Sequence, residues 1–194
     1  MMIETNNTSI MTHTNDDIRA AYLEVMQKET RKLQDDGVNL AGQAFSPLLI
    51  LKGNLSDAEK NGAELLSGPD GEALRAALDA LGYPPEAWCT AATIQSSGAP
   101  LSGDLLRLTI TSLQPNTLII CDEEAARIVR EAYAEELQLL ENPAASTLEA
   151  GKLVHVMGIR MLNLGGFADA LLDQKQKRIM WVRLKQIPPL GAPY

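Results

Sequence analysis

Cysteine and histidine are scarce in this chain. Two cysteines, Cys89 and Cys121, in 194 residues make no disulfide framework and cannot supply a four-thiolate metal site. They read as reduced thiols near strand ends, in a cytoplasmic protein. Two histidines, His13 and His155, leave a Ser-His-Asp triad or a zinc centre without support. Neither a G-x-G-x-x-G nor a Walker motif occurs. The classical cofactor folds therefore have no sequence support, and neither cofactor nor metal is expected. No apolar run approaches the roughly 18 residues of a membrane span, so no membrane association is expected. The opening MMIETNNTSIMTHTND has no basic region and no apolar stretch, and no signal peptide is expected.

What is present describes an ordinary globule with a real core: 45% hydrophobic and 22% charged residues. Its net charge of −8 is unevenly spread: residues 1–150 carry 10 basic and 23 acidic side chains, residues 151–194 carry 7 and 2. The acidic body argues against tight non-specific nucleic-acid binding, which needs basic groups at the phosphates. The basic C-terminal helix leaves room for a local DNA contact, beside the plainer reading of a solvated helix face.

Residues 48–83 organise the rest. Residues 48–51, LLIL, between Pro47 and Gly53-Asn54, suit a strand covered on both faces. Residues 52–67 read as loop, with Ser56 and Glu59 placed to cap one helical turn. Ala73, Leu74, Ala77, Leu78 and Leu81 then share one helix face, which Gly82 and Pro84-Pro85 end. Ahead of this unit, residues 1–15 read as a disordered tail, residues 16–33 as a helix with a buried stripe of Ile18, Ala21, Tyr22, Val25 and Met26, and residues 38–46 as a connector. Behind it the unit repeats. Strands are predicted at 88–94, 117–121 and 153–159, and helices at 101–113, 122–140 and 174–186, the last with Ile179, Val182 and Leu184 inward. The expectation is an α/β three-layer sandwich with a central four-stranded parallel sheet, in a single domain over 16–194. In such sheets ligands sit at the carboxyl ends of the strands.

Gly62, Gly68, Gly71, Leu74 and Leu78, then Leu81-Gly82-Tyr83, behind a strand and a polar loop, resemble the first motif region of the uracil-DNA glycosylase superfamily, its iron–sulfur branch above all. Residues 113–120, LQPNTLII, and Ala125-Ala126 are similar to that family's central strand and following helix. Residues 167–172, FADALL, with Lys177-Arg178, Trp181 and Leu184-Lys185, resemble its closing helix. The resemblance spans residues 45–187. It implies a four-stranded parallel sheet between helices and a pocket that takes a uracil flipped out of DNA.

The departures fall on the chemistry. Where the family carries a water-activating acid or amide within a glycine–proline motif, this chain has Lys52-Gly53-Asn54-Leu55-Ser56. Where the family has a histidine followed by proline, it has Asn163-Leu164-Gly165-Gly166-Phe167. The four cluster cysteines are lacking, and Leu65-Leu66 stands where an aromatic should stack on the base. The resemblance therefore implies a degenerate member that binds a protein partner in DNA repair or replication. The psi subunit of the bacterial DNA polymerase III clamp loader, similar to a glycosylase fold without its active site, is the analogy. A divergent glycosylase and a small-molecule-binding domain stay open beside it.

Asn54 is the candidate catalytic residue, as a water-orienting amide, although Asn there also suits a turn. Lys52, Gly53, Asn54, Ser96, Asn163, Gly165 and Gly166 are the candidate cleft residues. Gly165-Gly166 would let a phosphate or backbone approach closely, or serve a tight turn. Asp57 and Glu59 read as helix caps. His155, inside a predicted strand, is expected to be buried and hydrogen-bonded.

Overall fold

The computed structural model describes residues 7–190. The chain folds as an α/β protein around one sheet in the order β1-β3-β2-β4-β6-β5. Its strands are β1 (Leu40–Gly42), β2 (Leu48–Lys52), β3 (Trp88–Ala92), β4 (Thr117–Ile120), β5 (Leu153–Val156) and β6 (Ile159–Asn163). β3, β2, β4 and β6 are mutually parallel neighbours, whereas β1 and β5 pair antiparallel at the two edges. The sheet is therefore six-stranded and mixed, not four-stranded and parallel. Both extra strands close an edge of the parallel set, where unpaired backbone groups would otherwise be presented.

Alternation along the central strands builds two cores. Leu49, Leu51, Leu118, Ile120 and Met161 face α4 (Gly103–Leu113) and α5 (Glu123–Ala132), through Leu106, Ile110, Ala126 and Val129. Leu48, Ile50, Ile119 and Leu162 face α3 (Pro69–Ala80), α8 (Phe167–Ala170) and α9 (Gln174–Leu184), through Leu74, Leu78, Phe167, Met180 and Leu184. Helices thus lie on both faces, and every residue of β2, β3 and β4 is buried. Among the described residues no helix is long and apolar enough to cross a membrane.

Several local expectations give way. Residues 153–163 form a hairpin, with Val156 opposite Ile159. Met157 and Gly158, at φ 48° and 81°, make the two-residue turn with both φ positive that matches strand twist. The fourth parallel strand is thus β6, not residues 153–159, and His155 sits exposed on the edge strand. The connector at 38–46 holds β1. The long helix expected over 122–140 breaks at Tyr133 into α5 and α6 (Ala134–Gln138). There the Arg107 guanidinium takes the Ala132 carbonyl at 2.7 Å, pairs with Glu136 and lies 4.7 Å over the Tyr133 ring. A carbonyl claimed from outside the helix no longer supports the ladder. A short α7 (Pro143–Ser146) follows. On α9, Met180 rather than Val182 turns inward.

Helix α1 spans Asn7–Asp35, taking in most of the stretch expected to be a tail; residues 1–6 of that stretch lie outside the described residues. Its C-terminal half packs through Met26 and Leu33. Ile18, Tyr22 and Val25, expected to be buried, are 62%, 58% and 57% exposed, and Ala21 is exposed as well.

Both thiols are sealed in this core. Burial pushes Cys89 up to about 12 and raises Cys121 further above the ordinary thiol range. Thiolate is the reactive form. We expect neither to react with a disulfide reagent near pH 8 in the native protein, and both to react at once in denaturant. Fast native labelling would show that the sheet opens.

Candidate functional site

The site lies where β2 ends. Lys52 is the last residue of a wholly buried strand and is itself 3% exposed. A lone ammonium at that depth is costly, so the chain must bring it partners. The first comes from the loop that follows. Ser56 N-caps the single turn α2 (Asp57–Lys60), and the Glu59 side chain returns to the Ser56 backbone N–H at 2.7 Å, a complete capping box. That geometry aims the Glu59 carboxylate at Lys52 Nζ, which donates to its two oxygens at 2.9 and 2.7 Å. The Leu66 N–H donates to the same carboxylate at 2.7 Å. The second partner is Asp70 in the first turn of α3, whose Oδ2 lies 2.6 Å from Lys52 Nζ.

Burial alone would lower Lys52, but the bonds to Asp70 and Glu59 prevail and hold it above its ordinary value. Burial alone would raise Glu59, but the bonds from Lys52, Ser56 and Leu66 hold it below the usual carboxylate range. Both groups are charged at neutral pH, and each is spent on the other.

The rest of the loop is clamped by Asp122. It N-caps α5, accepting from the Ala125 N–H at 2.9 Å through one oxygen. The other accepts from the Gly53 and Asn54 backbone N–H groups, each at 3.0 Å. Glycine is required at 53, because a Cβ there would stand 2.5 Å from the Ala125 nitrogen.

Across the site, residues 163–167 hang from the end of β4. The Gly166 and Phe167 N–H groups both donate to the Cys121 carbonyl, at 3.1 and 2.8 Å. Gly165 and Gly166 have φ of 74° and 125°, values that suit glycine in a tight turn. Asn163 is buried and fully engaged. Its Nδ2 donates to the Leu148 carbonyl and its Oδ1 accepts from the Gly165 N–H, both at 2.9 Å.

Lys52, Asn54 and Gly166 line the same small cavity with Asp70, Cys121, Asp122, Phe167 and Asp169; its volume is about 20 Å³, room for a water or two. Gly53 adjoins it. Asn163 and Gly165 shape the turn behind it. Ser96 does not reach it: it lines a separate open groove of about 450 Å³ beside α2, with Leu55, Gly62 and Ile94. Asp70 and Asp122 are not among the residues the sequence singles out. Each sits at or just inside a helix N-terminus, where an acid has an ordinary role, so nothing in the sequence marked them out. The signal for Lys52 was present, as a lysine closing an otherwise apolar strand.

The cavity wall holds Asp70, Asp122 and Asp169 against one lysine that is already paired. An anion is repelled here. Among the described residues no group of three or more His, Cys, Asp or Glu side chains is placed to hold a metal ion. Compared with known proteins, the chain matches no family model and no curated protein.

Proposed function

We propose that this chain is a non-catalytic, uracil-DNA-glycosylase-like module that acts by binding a protein partner, in a setting of DNA repair or replication. The observation that carries the reading is the filled cleft. At the strand ends, where such a sheet would hold a ligand, Lys52 stands bonded to Glu59 and Asp70. The space left beside Lys52 is about 20 Å³, against about 300 Å³ or more for a typical ligand pocket; the larger groove at Ser96 is a separate, open one beside α2. A flipped base needs a pocket of its own size.

Two further features point the same way. The acidic wall, Asp70, Asp122 and Asp169, opposes a phosphate backbone at this mouth. The exposed stripe of Ile18, Tyr22 and Val25 on α1 is apolar surface of the kind that marks an interface. Likeness to the superfamily rests on the parallel set β3-β2-β4-β6 and on the motifs at residues 45–187. Fold alone does not assign activity, so the reading rests on the site chemistry.

The test is incubation of the chain, in excess, with uracil-containing single- and double-stranded DNA at low salt. The expected result is no abasic-site formation above background. Cleavage that vanishes in Asn54→Ala would overturn the proposal and make Asn54, which lines the cavity, the water-orienting group of a divergent glycosylase.

A further inference from the structure

We propose that the outer face of α9 binds single-stranded nucleic acid. This goes beyond the reading of the cleft and does not rest on it. Lys177, Trp181, Lys185, Arg178, Val182 and Lys175 are all exposed. At 100° per residue they fall within an arc of about 160°, adjoining the narrower arc through which Met180 and Leu184 enter the core. None of the four cations forms an ion pair among the described residues. Residues 1–150 hold 23 carboxylates, yet among the described residues none lies within ion-pair distance of these four.

Spacing and mixture select the partner. Lys177, Trp181 and Lys185 recur every fourth residue, about 6 Å apart along the helix, with the Lys185 ammonium 5.9 Å from the Trp181 ring centre. Cations alternating with an aromatic face suit a strand whose phosphates meet the lysines while a base stacks on the indole. A membrane-binding helix segregates its cations from its apolar residues; here Trp181 and Val182 lie among the cations. The acidic body repels the strand elsewhere and confines it to this face.

The experiment is fluorescence titration of the full chain with an oligothymidylate of about twelve nucleotides at about 50 mM salt. Trp88 is buried, so quenching reports Trp181. Binding with quenching is expected, at least tenfold weaker in Lys177→Glu/Arg178→Glu, with a salt slope shallower by about 0.7 per cation removed. Trp181→Ala should lose the quenching and several-fold of the affinity. Lys177 and Arg178 are exposed, so an unchanged thermal midpoint is expected to show that their variant folds; Trp181 is 37% exposed, and its variant is checked for a cooperative unfolding transition. Absence of binding, or binding untouched by the substitutions, would overturn the proposal. So would polyglutamate binding this face as well as the oligonucleotide, or anionic phospholipid vesicles binding it while the oligonucleotide does not. Those outcomes would reassign the face to an acidic protein surface or to a lipid surface.

Discussion

Lys52→Met should destabilise the protein by about 3–5 kcal/mol, the usual consequence of removing one partner from a buried ion pair. The loss is measured by denaturant unfolding. Methionine fills much the same volume, so the cost is electrostatic: the Glu59 and Asp70 carboxylates, with side chains only 1% and 14% exposed, keep their positions without a cation. Adding Glu59→Gln and Asp70→Asn to the same variant should recover part of the loss. The Ser56 and Leu66 N–H groups bond different oxygens of Glu59, so an amide at 59 keeps an acceptor for only one of them, but no buried charge then remains. A loss below about 1 kcal/mol in the single variant would mean that water reaches Lys52 freely, and the filled cleft would go with it.

The pH dependence has a sign that separates the two proteins. Glu59 is held below its ordinary value and Lys52 above its own. The Glu59 contribution is therefore complete above the unfolded carboxylate range and lost as pH falls through the lower folded value. The Lys52 contribution is complete below the unfolded lysine value and lost as pH rises through the higher folded one. The native protein should lose stability on acidification below the carboxylate range. In Lys52→Met the buried Glu59 has lost its cation, its pKa moves up instead, and the folded state binds the extra proton. That variant should gain stability as pH falls from neutrality toward 5, an inversion that a general loss of packing would not produce.

Gly71→Ala is expected to cost about 3 kcal/mol or more. Helix propensity says the reverse, since Ala in a helix interior is favoured over Gly by about 1 kcal/mol, and Gly71 lies inside α3. A Cβ at 71, however, would overlap the Leu66 carbonyl. Leu66 cannot yield cheaply. Its φ is 57°, a left-handed value unfavourable for leucine, its side chain is buried against Leu74 and Leu78, and its N–H anchors the Glu59 carboxylate. Relief at 71 would therefore loosen the ion triad as well as the core. Stabilisation by Gly71→Ala, read from the same unfolding curves, would show that the 61–68 loop moves independently of the site.

Three of the four parallel strands, β2, β3 and β4, were legible, β2 and β4 because burial on both faces leaves short apolar runs that nothing else explains: LLIL at 48–51 and TLII at 117–120 are such runs. The capping box at Ser56 and Glu59 and the stop at Gly82 were equally local, since each is a matter of a few residues and one backbone angle. The edge strands were not legible. β1 is three residues long, and β5 with β6 reads as one apolar run until the turn at Met157-Gly158 is known. The break at Tyr133 depends on Arg107, 26 positions earlier in the chain, and no periodicity within 122–140 contains it. The stripe on α1 shows the opposite failure: Ile18, Tyr22 and Val25 have the spacing of a buried face, and only the position of the helix on the domain leaves them outside.

The site divides in the same way. Residue types alone determined that the usual catalytic groups are missing from the 52–56 and 163–167 loops. That Lys52 is a buried cation, that Glu59 caps a helix and neutralises it together, and that Asp70 and Asp122 complete the closure were decided by tertiary structure. Lys52 meets partners 7 and 18 residues away, and Asp122 reaches back across 68 and 69. Sequence spacing carries no charge pairing over such separations; the strands that bring the loops to one end of the sheet do.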